Sequence, residues 1–161
     1  MHTLLPMTAE IAALLKARGE TIAVAESSAG GLISAALLAV PGASAYYLGG
    51  AVVYTKQARR ALVGISDEEM RGLRSSTEPY ARLLAEKVRA AHSASWGLAE
   101  TGAAGPSGNR YGDAAGHACI ALSGPREVSF TIETASSDRE ANMRVFTARA
   151  LQALRDALAS A

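Results

Sequence analysis

At 161 residues with a formal net charge of +1 and 19% charged residues, the chain has the length of one compact domain, enough to bury roughly two-thirds of its unfolded surface. That charge balance leaves no electrostatic footprint for nucleic acid. No apolar run approaches membrane-spanning length, Met1 to Met7 lacks a basic and apolar leader pattern, and Cys119 is the only cysteine. A reducing, cytoplasmic setting without an intrachain disulfide is the expectation.

In chain order, Ala9 to Ala17 carries Ile11, Leu14 and Leu15 on one helical face and stops at Gly19 in the manner of a C-cap. An apolar run from Thr21 to Ala25 predicts a strand. It passes through Glu26-Ser27 into a small-residue turn, Ser28-Ala-Gly-Gly31, and a helix over Gly31 to Ala39 that Pro41-Gly42 closes. Ala45 to Leu48 is Tyr-rich and apolar, a candidate contact patch between two copies. A strand over Gly50 to Tyr54 follows, then helices over Lys56 to Val63 and Asp67 to Leu73, and a long one capped by Thr77 with Pro79 in its first turn. Trp96 to Glu100 predicts a buried strand ending in the loop Thr101-Gly-Ala-Ala-Gly-Pro-Ser-Gly108. His117 to Leu122 and Glu127 to Glu133 form a hairpin across Ser123-Gly-Pro-Arg126, and Asp138 caps a last helix to about Ala159. Interleaved helices and strands with one hairpin predict an α/β fold, a three-layer α/β/α sandwich on a mixed, mostly parallel sheet. Neither a repeat nor a linker divides residues 1–161.

Two strand ends that empty into small-residue loops are the construction of a ligand crevice at the carboxyl edge of such a sheet. Ser27 sits where a strand-to-helix turn can present a nucleophile, and the first N–H groups of the following helix can face a developing negative charge. The same position suits a simple helix cap, and G-x-S-x-G is absent because Ala25 stands two residues before the serine. Neither loop has a Walker A or dinucleotide pattern. The crevice reading brings together Ser27, Ser28, Gly30, Gly31, Thr101, Gly102, Ala104 and Gly105. A phosphate would rest on the N–H groups of the Gly102 to Gly108 loop, with Arg139 or Arg144 beside it; helix capping and surface charge explain those two arginines equally well. Glu26 is a candidate acid/base or amide-orienting group, and Glu100 an alternative carboxylate. His117 and Cys119 fall on one side of a strand, where packing explains them better than a metal site without companion ligands. No metal or other cofactor is expected.

The segments Ala25-Glu-Ser-Ser-Ala-Gly-Gly31, Val40-Pro-Gly-Ala-Ser44, Gly49-Gly-Ala-Val-Val-Tyr54, Thr101-Gly-Ala-Ala-Gly-Pro106 and Ser137-Asp-Arg139 together resemble the C-terminal domain family of CinA, the competence/damage-inducible protein. The resemblance runs from about Glu10 to about Leu154. Larger members carry a further N-terminal domain; stand-alone members are nicotinamide mononucleotide deamidases. It implies hydrolysis of the nicotinamide carboxamide to the carboxylate, giving nicotinate mononucleotide and ammonia, in a dimeric protein whose partner is a small pyridine nucleotide rather than nucleic acid or membrane. It further implies Ser27 as nucleophile, Tyr54 nearby, and a lysine on the helix after the Tyr54 strand as the proton acceptor.

That lysine does not carry over. The family pattern Tyr-Ser-Asn-x-x-Lys is here Tyr54-Thr-Lys-Gln-Ala-Arg59. A lysine can be driven toward its neutral form by burial or neighbouring cations, whereas a guanidinium stays protonated in proteins. Lys56 lies three residues before Arg59, hence on the same helical face, and is the candidate replacement. The alternative is a catalytically silent or altered-specificity nucleotide-binding homologue. The family's Cys-Thr is Ser28-Ala29 here, and its Lys-Pro-Val-Gly is Asp113-Ala-Ala-Gly116.

Overall fold

The structure, a computed structural model, describes residues 1–161. Five strands, β1 (Ile22–Glu26), β2 (Tyr47–Val52), β3 (Trp96–Ala103), β4 (His117–Ser123) and β5 (Val128–Glu133), form one sheet in the order β2-β1-β3-β4-β5. β1 pairs in parallel with both β2 and β3, while β4 pairs antiparallel with β3 and β5. β4 alone therefore runs against the other four. Helices α1 (Leu5–Arg18), α2 (Leu32–Leu38) and α5 (Arg139–Ala159) cover one face, and α3 (Lys56–Val63) and α4 (Glu78–His92) the other. This is the α/β/α arrangement that the alternation of elements predicts.

The two faces are packed with residues of different size, as the two-residue period of a strand allows. On β1 and β3, Ile22, Val24, Trp96 and Leu98 meet Ile11, Leu37, Phe146 and Leu154 of the first helical layer. The alternate positions, Ala23, Ala25 and Ala99, together with Ala121 of β4, meet Leu84, Ala85 and Val88 of α4. Gly97 takes this economy furthest: a Cβ there would lie 2.1 Å from the Ala85 carbonyl oxygen and 2.7 Å from Arg89 Cβ. The backbone of α4 thus rests almost on the sheet. Trp96, fully buried on the opposite face, donates its indole N–H to Glu20 at 2.7 Å.

Several boundaries differ from the sequence expectation for identifiable reasons. α1 begins at Leu5, because Pro6 fits the first helical turn, and ends at Gly19 with φ +63°. β2 begins at Tyr47 and ends at Val52, so it absorbs part of the Tyr-rich stretch. Tyr46 is fully buried, with its hydroxyl on the Leu37 carbonyl, so it is a core residue and leaves Leu48 as the large exposed apolar side chain of the expected contact patch. No helix forms over Asp67 to Leu73. Ser66 and Glu69 bind one another's backbone and side chains in a tight turn that takes the place of a helical ladder. β3 continues through Thr101, Gly102 and Ala103, since β4 pairs with it to that point.

β1 is followed by α2 on one face and β2 by α3 and α4 on the other, so the chain diverges above the carboxyl edge of the sheet. This is where open α/β sheets leave a crevice. The close seating of α4 makes Gly97→Ala a direct test of the packing: the substitution is expected to destabilise the protein by about 3 kcal/mol or more, the upper end of overpacking costs. Urea unfolding followed by circular dichroism measures it.

Candidate functional site

A crevice of about 710 Å³ opens at this edge. Its lining comes from the β1–α2 turn (Ser27, Ser28), the β2–α3 segment and α3 (Tyr54, Lys56, Arg59, Arg60), the end of β3 with its loop (Thr101, Gly102, Ala104, Gly105 and on to Tyr111), the start of α4 (Tyr80) and Arg139. Lys56, Arg59, Arg60, Arg110 and Arg139 all border it, and no Asp or Glu does. A cavity with that charge pattern concentrates anions.

The β1–α2 turn is held by two buried carboxylates. Ala25 and Ala99 are paired in register, so Glu26 and Glu100 follow side by side on neighbouring strands, both with zero exposure. Glu26 accepts from the backbone N–H groups of Gly31 (2.8 Å), Ile33 (3.1 Å) and Ser34 (2.9 Å) and from the Ser34 hydroxyl (2.8 Å). It caps α2 from within the sheet, in the role a side chain at the helix start would otherwise play. Glu26 does not line the crevice, which removes it as an acid/base candidate. Glu100 accepts from the N–H groups of Ser27 (3.0 Å) and Ala29 (2.8 Å) and from the Ser28 hydroxyl. Burial pushes the Glu100 carboxyl above the usual carboxylate range, and those three donors only partly offset it.

This corrects the expectation that the first N–H groups of α2 face a ligand, because Glu26 already occupies them. Gly30 and Gly31 likewise lie outside the crevice lining. Gly30, at φ +68°, turns the chain behind it, where a Cβ would fall 2.8 Å from Met143 Cε. The N–H groups of Gly30 and Leu32 bond to the carbonyls of Ser27 and Ala29. Between Ser27 and Ala35, only the Ser28 N–H has no acceptor in the protein. It belongs to the residue after the serine, the position that supplies an oxyanion donor in nucleophile elbows.

On the second wall, Thr101 accepts the Ser76 N–H at 3.1 Å through its hydroxyl oxygen. Asn142, unmarked by any sequence signal considered above, is buried and donates to the carbonyls of Ala104 and Ser136, both at 2.8 Å, while accepting from the Thr134 hydroxyl. Arg139 donates to the Gly105 carbonyl and, at 3.1 Å, to the Tyr54 hydroxyl, so it bridges the two loops across the mouth. Asp138 caps α5 by accepting the Ala141 N–H. Arg144 lies apart, exposed and paired with Glu140 at 2.7 Å, and does not reach the crevice.

Asp113, where the family has a lysine, organises the outer loop. It accepts from Arg74 at 2.8 and 3.2 Å and from the Asn109 side chain at 2.8 Å. Hydrogen bonding from Arg74 holds its carboxyl below the usual range. His117 and Cys119 do share one side of β4, and both approach the Ser76 carbonyl, at 2.7 and 3.5 Å. His117 also places Nδ1 2.5 Å from Glu133. Both ring nitrogens thus face acceptors, a carbonyl and a carboxylate, an arrangement that favours the protonated ring.

The positions that the sequence marked in the β2–α3 segment differ in exposure. Arg59 is buried, its side chain 7% exposed, whereas Lys56 and Tyr54 are exposed. Arg59 Nε has no hydrogen-bond partner. Asp67 lies 3.7 Å from its Nη2, and Tyr80 has its ring 6.0 Å from the guanidinium. Lys56 makes no hydrogen bond to Ser27 or to any other crevice residue, although α3 does start there, capped by Thr55.

Comparison with known proteins decides the family. The sequence model of the CinA C-terminal domain matches residues 4–158. The chain belongs to the CinA C-terminal domain family. A CinA-like protein of Gloeobacter violaceus is 42% identical over 147 residues, 89% of this chain and 34% of its own length. One from Anaeromyxobacter dehalogenans is 38% identical over 92% of this chain and 36% of its own. The chain thus spans about a third of the length of the curated relatives it matches. Among solved structures, a CinA superfamily protein from Klebsiella pneumoniae superposes with a TM-score of 0.91 at 26% identity, covering 98% of this chain and 99% of that one. A competence/damage inducible protein from Agrobacterium tumefaciens gives 0.88 at 25% identity, covering 96% and 94%.

Two predictions follow from the held turn and from His117. Glu100→Ala strands the buried N–H groups of Ser27 and Ala29 and is expected to cost roughly 2–5 kcal/mol, while Glu100→Gln, which keeps an acceptor oxygen, costs less; chemical unfolding distinguishes them. For His117, burial works against the charged ring, but the bonds to Glu133 and Ser76 outweigh it and raise its pKa above the ordinary value of about 6.5. Its contribution to stability is therefore complete below about pH 6.5 and lost as pH rises through the raised value. Thermal midpoints measured across that range should fall more in the wild type than in His117→Phe.

Proposed function

We propose that the domain hydrolyses the carboxamide of nicotinamide mononucleotide, giving nicotinate mononucleotide and ammonia. The observation that carries this reading is the Ser27–Ser28 turn, with its acceptor-free Ser28 N–H, opening on a crevice lined by five cations and no carboxylate. Family membership supports it. In this reading the phosphate lies against the Gly102 to Gly108 loop near Arg139, and the carboxamide lies at Ser27.

Ser27 Oγ attacks the amide carbon, and the carbonyl oxygen takes up negative charge against the Ser28 N–H. The hydroxyl proton passes through a base to the leaving nitrogen, the C–N bond breaks, and ammonia departs. Water then cleaves the Ser27 ester, restores the hydroxyl and releases the carboxylate. Lys56 is the one lining side chain with an amine, which makes it the candidate base in place of Arg59.

A second reading, nucleotide binding without turnover, is favoured by the exposed, unengaged Lys56 and by the buried Arg59 at the position of the family's lysine. Loss of a positioned base typically lowers the rate by roughly 10²- to 10⁴-fold, so ammonia release is expected to be slow compared with lysine-bearing relatives. Ser27→Ala should abolish it, and Arg59→Lys should raise it. If Lys56 is the base, Lys56→Ala removes all activity. Failure of both the wild type and Arg59→Lys to release ammonia would overturn the hydrolase reading in favour of the silent one.

A further inference from the structure

Of the five cations around the crevice, Lys56, Arg60, Arg110 and Arg139 are exposed. Arg59 is different. Its side chain is only 7% exposed, its Nε meets no acceptor in the protein, and its nearest carboxylate is 3.7 Å away, longer than a hydrogen bond. That carboxylate, Asp67, is itself 61% exposed and is engaged by Arg60. A guanidinium has five N–H donors and no acceptor capacity, and burying one without full pairing is costly. The protein holds this charge in the crevice wall beside Tyr80, with its Nε unpartnered.

We infer that Arg59 forms an anion subsite that takes a carboxylate, so that the preferred ligand of the crevice is a phosphomonoester carrying a carboxylate at its other end. The inference rests on the reading that a pyridine mononucleotide occupies the crevice, and it names which form of that nucleotide is held best. Arg59 on α3 and Arg139 at the start of α5 both line the crevice, and in this proposal Arg59 takes the carboxylate and Arg139 the phosphate. A planar carboxylate matches the guanidinium fork through two parallel N–H···O bonds, which a neutral carboxamide cannot reproduce because half of its polar face is a donor. The crevice then favours nicotinate mononucleotide over nicotinamide mononucleotide, and any hydrolysis is held back by its own product.

Isothermal titration of the whole protein with each nucleotide tests this independently of ammonia release. The wild type is expected to bind nicotinate mononucleotide at least about tenfold more tightly than nicotinamide mononucleotide, the factor that one charge-assisted hydrogen bond provides. Arg59→Gln should remove that gap and Arg59→Lys should narrow it, each with a native circular dichroism spectrum. Arg139→Ala should weaken both nucleotides alike. Equal affinities in the wild type, or a gap that survives Arg59→Gln, would overturn the carboxylate subsite; if ammonia were still released from nicotinamide mononucleotide, the proposed activity would stand without it. Failure of both nucleotides to bind overturns both readings. Should Arg59→Gln not fold, persistence of the full gap in Arg59→Lys is the overturning result.

Discussion

Two carboxylates buried at the ends of β1 and β3 determine the shape of everything around them. Glu26 and Glu100 lie side by side, and between them they accept five backbone N–H groups of one turn, those of Ser27, Ala29, Gly31, Ile33 and Ser34. A turn with so many donors would ordinarily lie open to water or take a capping side chain of its own. Here the sheet supplies the acceptors from beneath. The turn is pulled down onto the strands, and one N–H, that of Ser28, is left pointing elsewhere. Preorganisation of that kind allows a donor to meet developing charge without moving.

The opposite wall is secured by different means. Asn142 fixes the Ala104 carbonyl, Arg139 the Gly105 carbonyl, and Asp113 gathers Arg74 and Asn109 around the outer loop. His117 then ties β4 to Ser76 and to Glu133. One wall of the crevice therefore depends on two buried carboxylates, of which burial pushes Glu100 above the usual range, while the other includes His117, raised by its bonds to Glu133 and Ser76 against the opposing effect of burial. Change of pH acts on the two walls unequally.

Much of the fold was legible in the sequence because its signals are local. Gly19, Thr77 and Asp138 mark helix ends by their own backbone and side-chain chemistry, and the alternation of Ile22 and Val24 with Ala23 and Ala25 marks a strand covered on both sides. Asp67 to Leu73 misled because its composition suits a helix, whereas the reciprocal bonds of Ser66 and Glu69 favour a turn. At the site, spacing brought Ser27, Thr101 and Gly105 to one sheet edge. It could not tell that Glu26 faces inward while Ser27 faces the crevice, nor that Arg144 pairs along its own helix with Glu140. Asn142 and Glu100 act across 38 and 71 to 73 residues of chain, and such partners carry no sequence periodicity.

The position of Trp96 gives the molecule a convenient internal reporter. It is the only tryptophan of the chain, it is fully buried at the first residue of β3, and its indole is tethered to Glu20. Thr101, at the crevice, lies five residues further along the same strand, roughly 17 Å away at the rise of an extended chain. The indole emission therefore follows the integrity of the central strand and its seating against the α1–α5 layer, with ligand occupancy at the far end contributing little. Fluorescence can separate variants that disturb the scaffold from those that alter only what the crevice holds.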